Sequence, residues 1–356
     1  MDTPEPSAEL PRELQGSIVA TLTARKPILF HINADTTWLL SLPYPDNAIC
    51  PQRYRFNVLV DPWLKGPQSD VAAWFSTQWH QIKSSVQTIE ELNRVLGERE
   101  ELELRATGTI SRQSSNGTST SGPSLRNYID VVVISHEFTD HCHRLTLEEI
   151  DASVPCFATT KAAELIRSWG HFEAVSDVPP FSRDSDWRKT SASSLPSWIG
   201  IARLVTESDA LYFHSAITVF YKSSNVTHPD AAEAVIYTPH GIQPNNLIAI
   251  PTASPPVQTL VLLHGLHNVS ITFTKQLNLG GHNALKCYNI LRPRYWVGTH
   301  DEIKIGGGIL APFLRRKVYT LEDVLKAEKG REVAAQPPGD KPIYAEIPCG
   351  QSLLLE

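Results

Sequence analysis

The stretch Tyr128–Ser135, YIDVVVIS, constrains this chain most. Its centre, Val131-Val132-Val133-Ile134, has no alternation of polar and apolar side chains. A strand formed there must be buried on both faces, and such strands belong to sheets covered by helices on one side and by more protein on the other. The run then breaks into His136-Glu137-Phe138-Thr139-Asp140-His141-Cys142-His143, which crowds three imidazoles and acidic groups at one strand end.

The surrounding sequence repeats that logic. GSIVATLTARKPILFHINADTTWLLSL reads as short strands, and RYRFNVLVDPWLKGP as another that ends at Asp61-Pro62, because proline cannot continue a ladder. SDVAAWFSTQWHQIK reads as a helix with Ser69 and Asp70 as capping candidates, and VQTIEELNRVLGEREELEL as a second. Residues 106–127 are a Ser/Thr/Gly-rich insertion expected to be flexible. TLEEIDAS, VPCFATT, TKAAELIRSWG and FEAVSD then alternate as helix, strand, helix, strand. From about Trp198 strands dominate: WIGIARLVTES, ALYFHSAITVFYKS, AEAVIYTPHG, NLIAIPT and QTLVLLHGLHN. A helix from about Asn283, the strand RYWVGTHDE and a last helix from about Leu321 follow. Strands and helices thus occur in two comparable halves. The expected architecture is α/β, two mixed sheets packed face to face with helices outside. It forms a single domain over 1–356, with 1–15 and 331–356 as peripheral tails.

Composition narrows the function classes. The net charge of −6 argues against a general nucleic-acid surface, and no apolar run is long enough for a membrane-spanning helix. The five cysteines are scattered and never paired as CxxC, which fits a reducing, cytoplasmic setting. The N-terminus lacks the pattern of a secretory signal. No Gly-x-Ser-x-Gly elbow and no GxGxxG after a strand occurs, so serine hydrolases and dinucleotide enzymes have no support. A small-molecule substrate remains the expected partner. Gly280-Gly281 before a helix reads as a tight turn in preference to an anion site, and Gly306–Gly308 as a loop over the site. Oligomeric state is not legible.

The chemistry gathers where strands end. His136, Asp140 and His141 stand at i, i+4 and i+5, a spacing that lets them converge on one centre. Imidazole nitrogen with carboxylate oxygen suits Zn, Mn or Fe(II). His214, His240, His264, His267 and His300 also sit in strands or at their ends. Such a set can build a metal centre or an acid/base centre.

At these residues the sequence resembles the metallo-β-lactamase fold superfamily, its lactonase-like branch in particular. That pattern runs strand, HxHxDH, a separate His, an Asp turn and a final His. Here it reads His136-Glu137-Phe138-Thr139-Asp140-His141, then His214, then Pro239-His240-Gly241, then His300. The resemblance implies a four-layer αββα sandwich with two metal ions at one edge. Two departures bear on this. Phe138 stands where a ligand is expected, and His240 replaces the bridging carboxylate. The half built on Asp140, His141 and His300 is complete. The resemblance therefore implies one divalent ion, zinc first and Mn or Fe next, with Asp140, His141, His300 and His214 as ligands. His136, His240 and His264 are expected to handle protons or orient substrate, and Phe138 and His267 to contact it. The expected activity is hydrolysis of a small-molecule ester, lactone or related bond. The alternatives are a metal-free lyase or isomerase using the histidines as acid and base, or a non-catalytic binding protein.

Overall fold

The structure, a computed structural model, describes residues 24–45, 53–70, 72–106, 126–183, 185–205, 213–223, 228–271, 275–329 and 343–356. The insertion expected at 106–127 lies almost entirely outside these residues, as does the tail 1–15.

Val131–Ile134 (β5) behaves as its sequence requires: all four side chains are fully buried. Val131 and Val133 point into the space between two sheets, beside Val58, Ile201, Val219 and Val235. Val132 and Ile134 point the other way, onto Leu92 and Leu96 of the helix Ile89–Ala106 and Ala162, Ala163 and Ile166 of the helix Thr160–Trp169. Burying each such side chain contributes roughly 1.5–3 kcal/mol, and both faces of one strand are used.

The first sheet contains β1 (Ile28–His31), β2 (Trp38–Pro43), β3 (Arg55–Val60), β5, β6 (Cys156–Ala158), β7 (Val175–Asp177) and β18 (Ser352–Leu354), in the order β18-β1-β2-β3-β5-β6-β7. β1 to β3 are antiparallel neighbours; β3, β5, β6 and β7 run parallel. The second sheet contains β8 (Ile199–Val205), β9 (Ser215–Tyr221), β10 (Ala232–Thr238), β11 (Val257–His264), β14 (Tyr295–Val297) and β17 (Tyr344–Ala345), ordered β17-β14-β11-β10-β9-β8. Again three antiparallel strands come first and parallel ones follow. The helix Gly280–Leu291 covers the outer face of this sheet through Ala284, Leu285, Tyr288 and Leu291. The two halves are alike in plan, and helices lie outside both sheets.

Smaller sheets cover one edge. β12 (Asn268–Ile271) lies between β13 (Lys275–Leu279) and β16 (Leu314–Lys317), and β4 (Thr77–Trp79) pairs with β15 (Ile305–Gly307). Among the described residues, no helix is long and apolar enough to cross a membrane.

Three expectations are corrected. The segment 69–83 is not a helix: Gln68 and Gln78 exchange backbone hydrogen bonds, and Thr77–Trp79 is a strand. Asp70 does not cap a helix; its Oδ1 accepts from the backbone N–H and the hydroxyl of Thr139. NLIAIPT is not a strand, because β10 already has β9 and β11 on its two sides; Pro244–Ala249 forms a 3₁₀ helix. The described part of the expected C-terminal tail is not peripheral. It supplies β17 to one sheet and β18 to the other.

Candidate metal centre

The carboxyl ends of the parallel strands meet at one edge of the sandwich, where α/β sheets commonly bind ligands. His136 and His141 follow β5, His240 follows β10 and His300 follows β14. His240 turns in from Thr238-Pro239-His240-Gly241. Gly241 has φ +86°, and a Cβ there would stand 2.8 Å from Asn283 Oδ1 and Leu279 Cβ, so the turn needs glycine.

Three imidazoles form a triangle. Ring centroids are 5.0 Å apart for His141 and His240, 5.1 Å for His141 and His300, and 5.0 Å for His240 and His300. Each has its Nδ1 held by an oxygen. His141 Nδ1 lies 2.7 Å from Asp61 Oδ2, His240 Nδ1 2.9 Å from Asn278 Oδ1, and His300 Nδ1 3.0 Å from Asp35 Oδ1. With the proton fixed on Nδ1, each Nε2 carries its lone pair toward the others. Holding the far nitrogen in this way is how proteins orient histidine ligands. The Nε2 atoms of His141 and His240 are buried and have no hydrogen-bond partner. One ligand atom from each of the three lies within 4.8 Å of the others. A tetrahedral zinc site needs ligand nitrogens about 3.4 Å apart, given bonds near 2.1 Å, so a small inward shift completes the set. The residues present fit a divalent ion.

The loops are held in backbone conformations that cost energy. Asp61 has φ +44° and His300 φ +58°, both in the left-handed region. Asp61 is fixed further by the Ser135 N–H (2.7 Å) and hydroxyl (2.5 Å). The His300 N–H donates to the Asp35 carbonyl at 2.9 Å, and the Thr36 hydroxyl donates to the Asp140 carbonyl at 2.8 Å. The turn after β1 thus braces two ligand loops at once.

Asp140 stands beside the triangle. Its Oδ1 is 3.6 Å from His141 Nε2 and its Oδ2 3.8 Å from His300 Nε2. Lys304 Nζ lies 2.7 Å from Asp140 Oδ2 and 2.7 Å from Asp35 Oδ2. Burial opposes the charge on Asp140, but Lys304, His141 and His300 outweigh it and hold the carboxyl well below its ordinary value. Burial likewise opposes the Lys304 ammonium, and Asp140 with Asp35 reverses the sign, so Lys304 stays charged. Burial, reinforced by His141 and His300, pushes His240 well below its ordinary value; burial and His240 do the same to His136. Burial also opposes charge on His141, yet Asp140 and Asp61 leave it raised.

His136 packs against His240 with centroids 4.7 Å apart, and its Nε2 is buried without a partner. Phe138 stacks on Phe213 at 4.9 Å with planes 9° apart. Both rings line a cavity of about 560 Å³, together with Asp140, His240, His300 and Lys304. His264 is one step removed. Its two ring nitrogens are engaged by the Gly265 carbonyl and the Asn283 amide, at 2.9 and 2.8 Å, and it does not line the cavity. His214 is half-buried near His264 and lies outside the triangle. His267 Nδ1 accepts from Arg316 at 3.0 Å; the cavity wall carries Arg316 and not His267. The Gly280-Gly281 pair is not a turn ahead of the helix but its first two residues, with φ +64° at Gly280 and the Gly281 N–H donated to Leu266 O at 2.8 Å. Cys142 is buried, and burial pushes its thiol well up, so it is not a reactive thiolate.

No protein-family pattern and no curated protein sequence matches this chain. Solved structures do. A possible metal-dependent hydrolase from Veillonella parvula superposes with a TM-score of 0.52 at 12% identity, over 93% of this chain and 100% of that one. An isothiocyanate hydrolase from Delia radicum gut bacteria gives 0.52 at 13% identity, over 92% and 99%. CmlA, a diiron β-hydroxylase from Streptomyces venezuelae, gives 0.50 at 10% identity, over 93% of this chain and 54% of that one. The fold is that of the metallo-β-lactamases. Identities this low establish the metallo-β-lactamase fold and nothing finer.

Asp35, Asp61, Asn278 and Lys304 were not among the residues expected at the site. Asp61 carries a sequence signal, a carboxylate closing a buried strand before proline. The other three carry none, because each acts across a long sequence separation.

Proposed function

We propose that the protein is a metal-dependent hydrolase with one divalent ion held by His141, His240 and His300. Its substrate is a small molecule with an apolar body, cleaved at an ester, lactone or related bond. The observation that carries this reading is the shared arrangement of the three imidazoles, each with Nδ1 tied to an oxygen and Nε2 facing one point beside a cavity. Three imidazoles suit zinc best, with Mn or Fe(II) next. Such an ion supplies positive charge that polarises a carbonyl and eases the loss of a proton from water.

The chain's own residues do the rest. Asp61, Asn278 and Asp35 aim the ligands. Phe138, Phe213, Ile271, Leu277 and Leu314 give the cavity apolar walls that exclude water. His136 is held neutral by burial and packs on His240 behind the cavity wall, so it shapes the centre as an uncharged ring and is a poor proton acceptor. In this assignment His240 is a ligand more than a base, His264 and His267 hold Asn283 and Arg316 in place, and His214 is not a ligand. Asp140 holds Lys304 and keeps Oδ1 turned toward the imidazoles. A small-molecule partner, without nucleic acid or membrane, belongs to the same proposal. So does a cytoplasmic setting, which the unpaired thiols of Cys142, Cys156, Cys287 and Cys349 support.

The test is metal analysis of the purified chain, followed by assay on a panel of aryl esters and lactones before and after chelation. About one equivalent of metal, and activity lost on chelation and restored by zinc or manganese, is the expected result. Activity that survives chelation but disappears in His136→Ala and His240→Ala would replace this reading with metal-free proton chemistry.

A further inference from the structure

Lys304 is a buried cation held by two carboxylates at the edge of the proposed centre. Its side chain is 5% exposed, and Asp35 is fully buried. Its Nζ is 2.7 Å from an Oδ2 atom of each acid. Two buried carboxylates this close do not both stay ionised without a positive charge between them. Asp35, Asp140 and His300 also offer ligand atoms within 4.8 Å of one another, the second group among the described residues able to hold a metal ion. The ammonium and a divalent ion would therefore compete for the same oxygens. The ammonium is tethered: it also lies 5.3 Å from the centre of the Trp63 ring, and only three residues separate Lys304 from His300. No chelator can remove it.

Resting on the reading that His141, His240 and His300 hold one ion, we propose that Lys304 is a second cation built into the chain. Its ammonium fills the place between Asp35 and Asp140 where a second metal ion would bind, so the centre takes one ion and not two. It positions Asp140 and balances its charge as a second ion would. Asp35 then serves both cations, since its Oδ1 holds the ligand His300 and its Oδ2 holds Lys304.

The experiment is metal stoichiometry of the full chain, stripped and then exposed to excess Zn(II) or Mn(II). Wild type and Lys304→Met are compared, with Lys304→Gln as a second neutral replacement. The expected result is one equivalent in wild type and two in the variants. If wild type binds none and Lys304→Met binds one, the role of Lys304 stands while the three-histidine centre falls. Variants that are folded by circular dichroism yet bind no more ion than wild type overturn the proposal. Should neither variant fold, Mn(II) titration of wild type by electron paramagnetic resonance decides. An isolated-ion spectrum at all ratios supports the proposal, and a spin-coupled pair overturns it.

Discussion

Asp61 Oδ2 lies 2.7 Å from His141 Nδ1, and the two residues follow neighbouring parallel strands, β3 and β5. The contact ties a ligand to the sheet itself. It fixes the tautomer and makes the outward nitrogen a better donor to a metal. Asp61→Asn keeps the size and removes the charge. Metal affinity should fall about 10- to 100-fold, read by competition with a chromophoric chelator. An affinity within twofold of wild type would show that Asp61 serves only the packing of Ser135.

Phe138 occupies the place where a ligand histidine was expected, and its ring is matched to Phe213. A stacked aromatic pair contributes about 0.5–1.5 kcal/mol beyond its buried area. Phe138→Ala should therefore raise KM for an apolar aryl ester roughly 2- to 12-fold, because 1.4 kcal/mol is a factor of ten, with a smaller change in kcat. Metal content should stay as in wild type, since Phe138 meets His240 only edge-on, with centroids 6.5 Å apart, and the Nδ1 hydrogen bonds that hold the three imidazoles come from other residues. A loss of metal in this variant would reassign Phe138 to the support of the centre.

The sequence and the structure agree where the signal is local. Four consecutive β-branched residues suit a doubly covered strand, and Val131–Ile134 is one. His136, Asp140 and His141 are close in sequence and remain close in space. His240 and His300 were legible as strand-end histidines, but their joint geometry depends on a sheet that no local pattern encodes. The segment 69–83 misleads because its apolar spacing mimics a helix while its polar residues answer to distant partners, Asp70 to Thr139 and His80 to Glu302. Asp35 is invisible for the same reason: it meets His300 across 265 positions. The C-terminal strands have too few residues to show a period, and only the open sheet edges explain them.

A titration away from the centre tests the electrostatics. Burial pushes the Asp130 carboxyl up to about 6, against the opposing pull of Arg53 and the Asn57 N–H. In the unfolded chain its pKa is about 3.9. The folded form therefore binds the proton more tightly, so the contribution is fully present below pH 4 and is lost as pH rises through 6. Relative to Asp130→Asn, wild type should lose stability between pH 4 and 7, by at most roughly 3 kcal/mol. Urea denaturation at several pH values measures it. A difference between the two proteins that stays constant with pH would show that Arg53 holds the carboxylate at its ordinary value.

Arg55 and Glu103 make the last case. Arg55 lies on β3 and Glu103 on the helix Ile89–Ala106; both side chains are fully buried, with Nε to Oε1 at 2.6 Å. Arg55 also donates to the carbonyls of Lys26, at 2.7 Å, and Ser41, at 3.3 Å. The pair thus joins the helix, β3 and the entry to β1. Burial raises the Glu103 pKa against the pull of Arg55 and Arg99, which marks the desolvation cost of the pair. Removing one partner leaves the other charge buried, so Glu103→Ala should cost about 3–5 kcal/mol. Replacing both by apolar groups removes the stranded charge, and Arg55→Met with Glu103→Leu should recover most of that loss. The measurement is a double-mutant cycle by urea denaturation. If the double variant is as unstable as Glu103→Ala, the Arg55 links to the Lys26 and Ser41 carbonyls, and not the ion pair, hold this corner of the sheet.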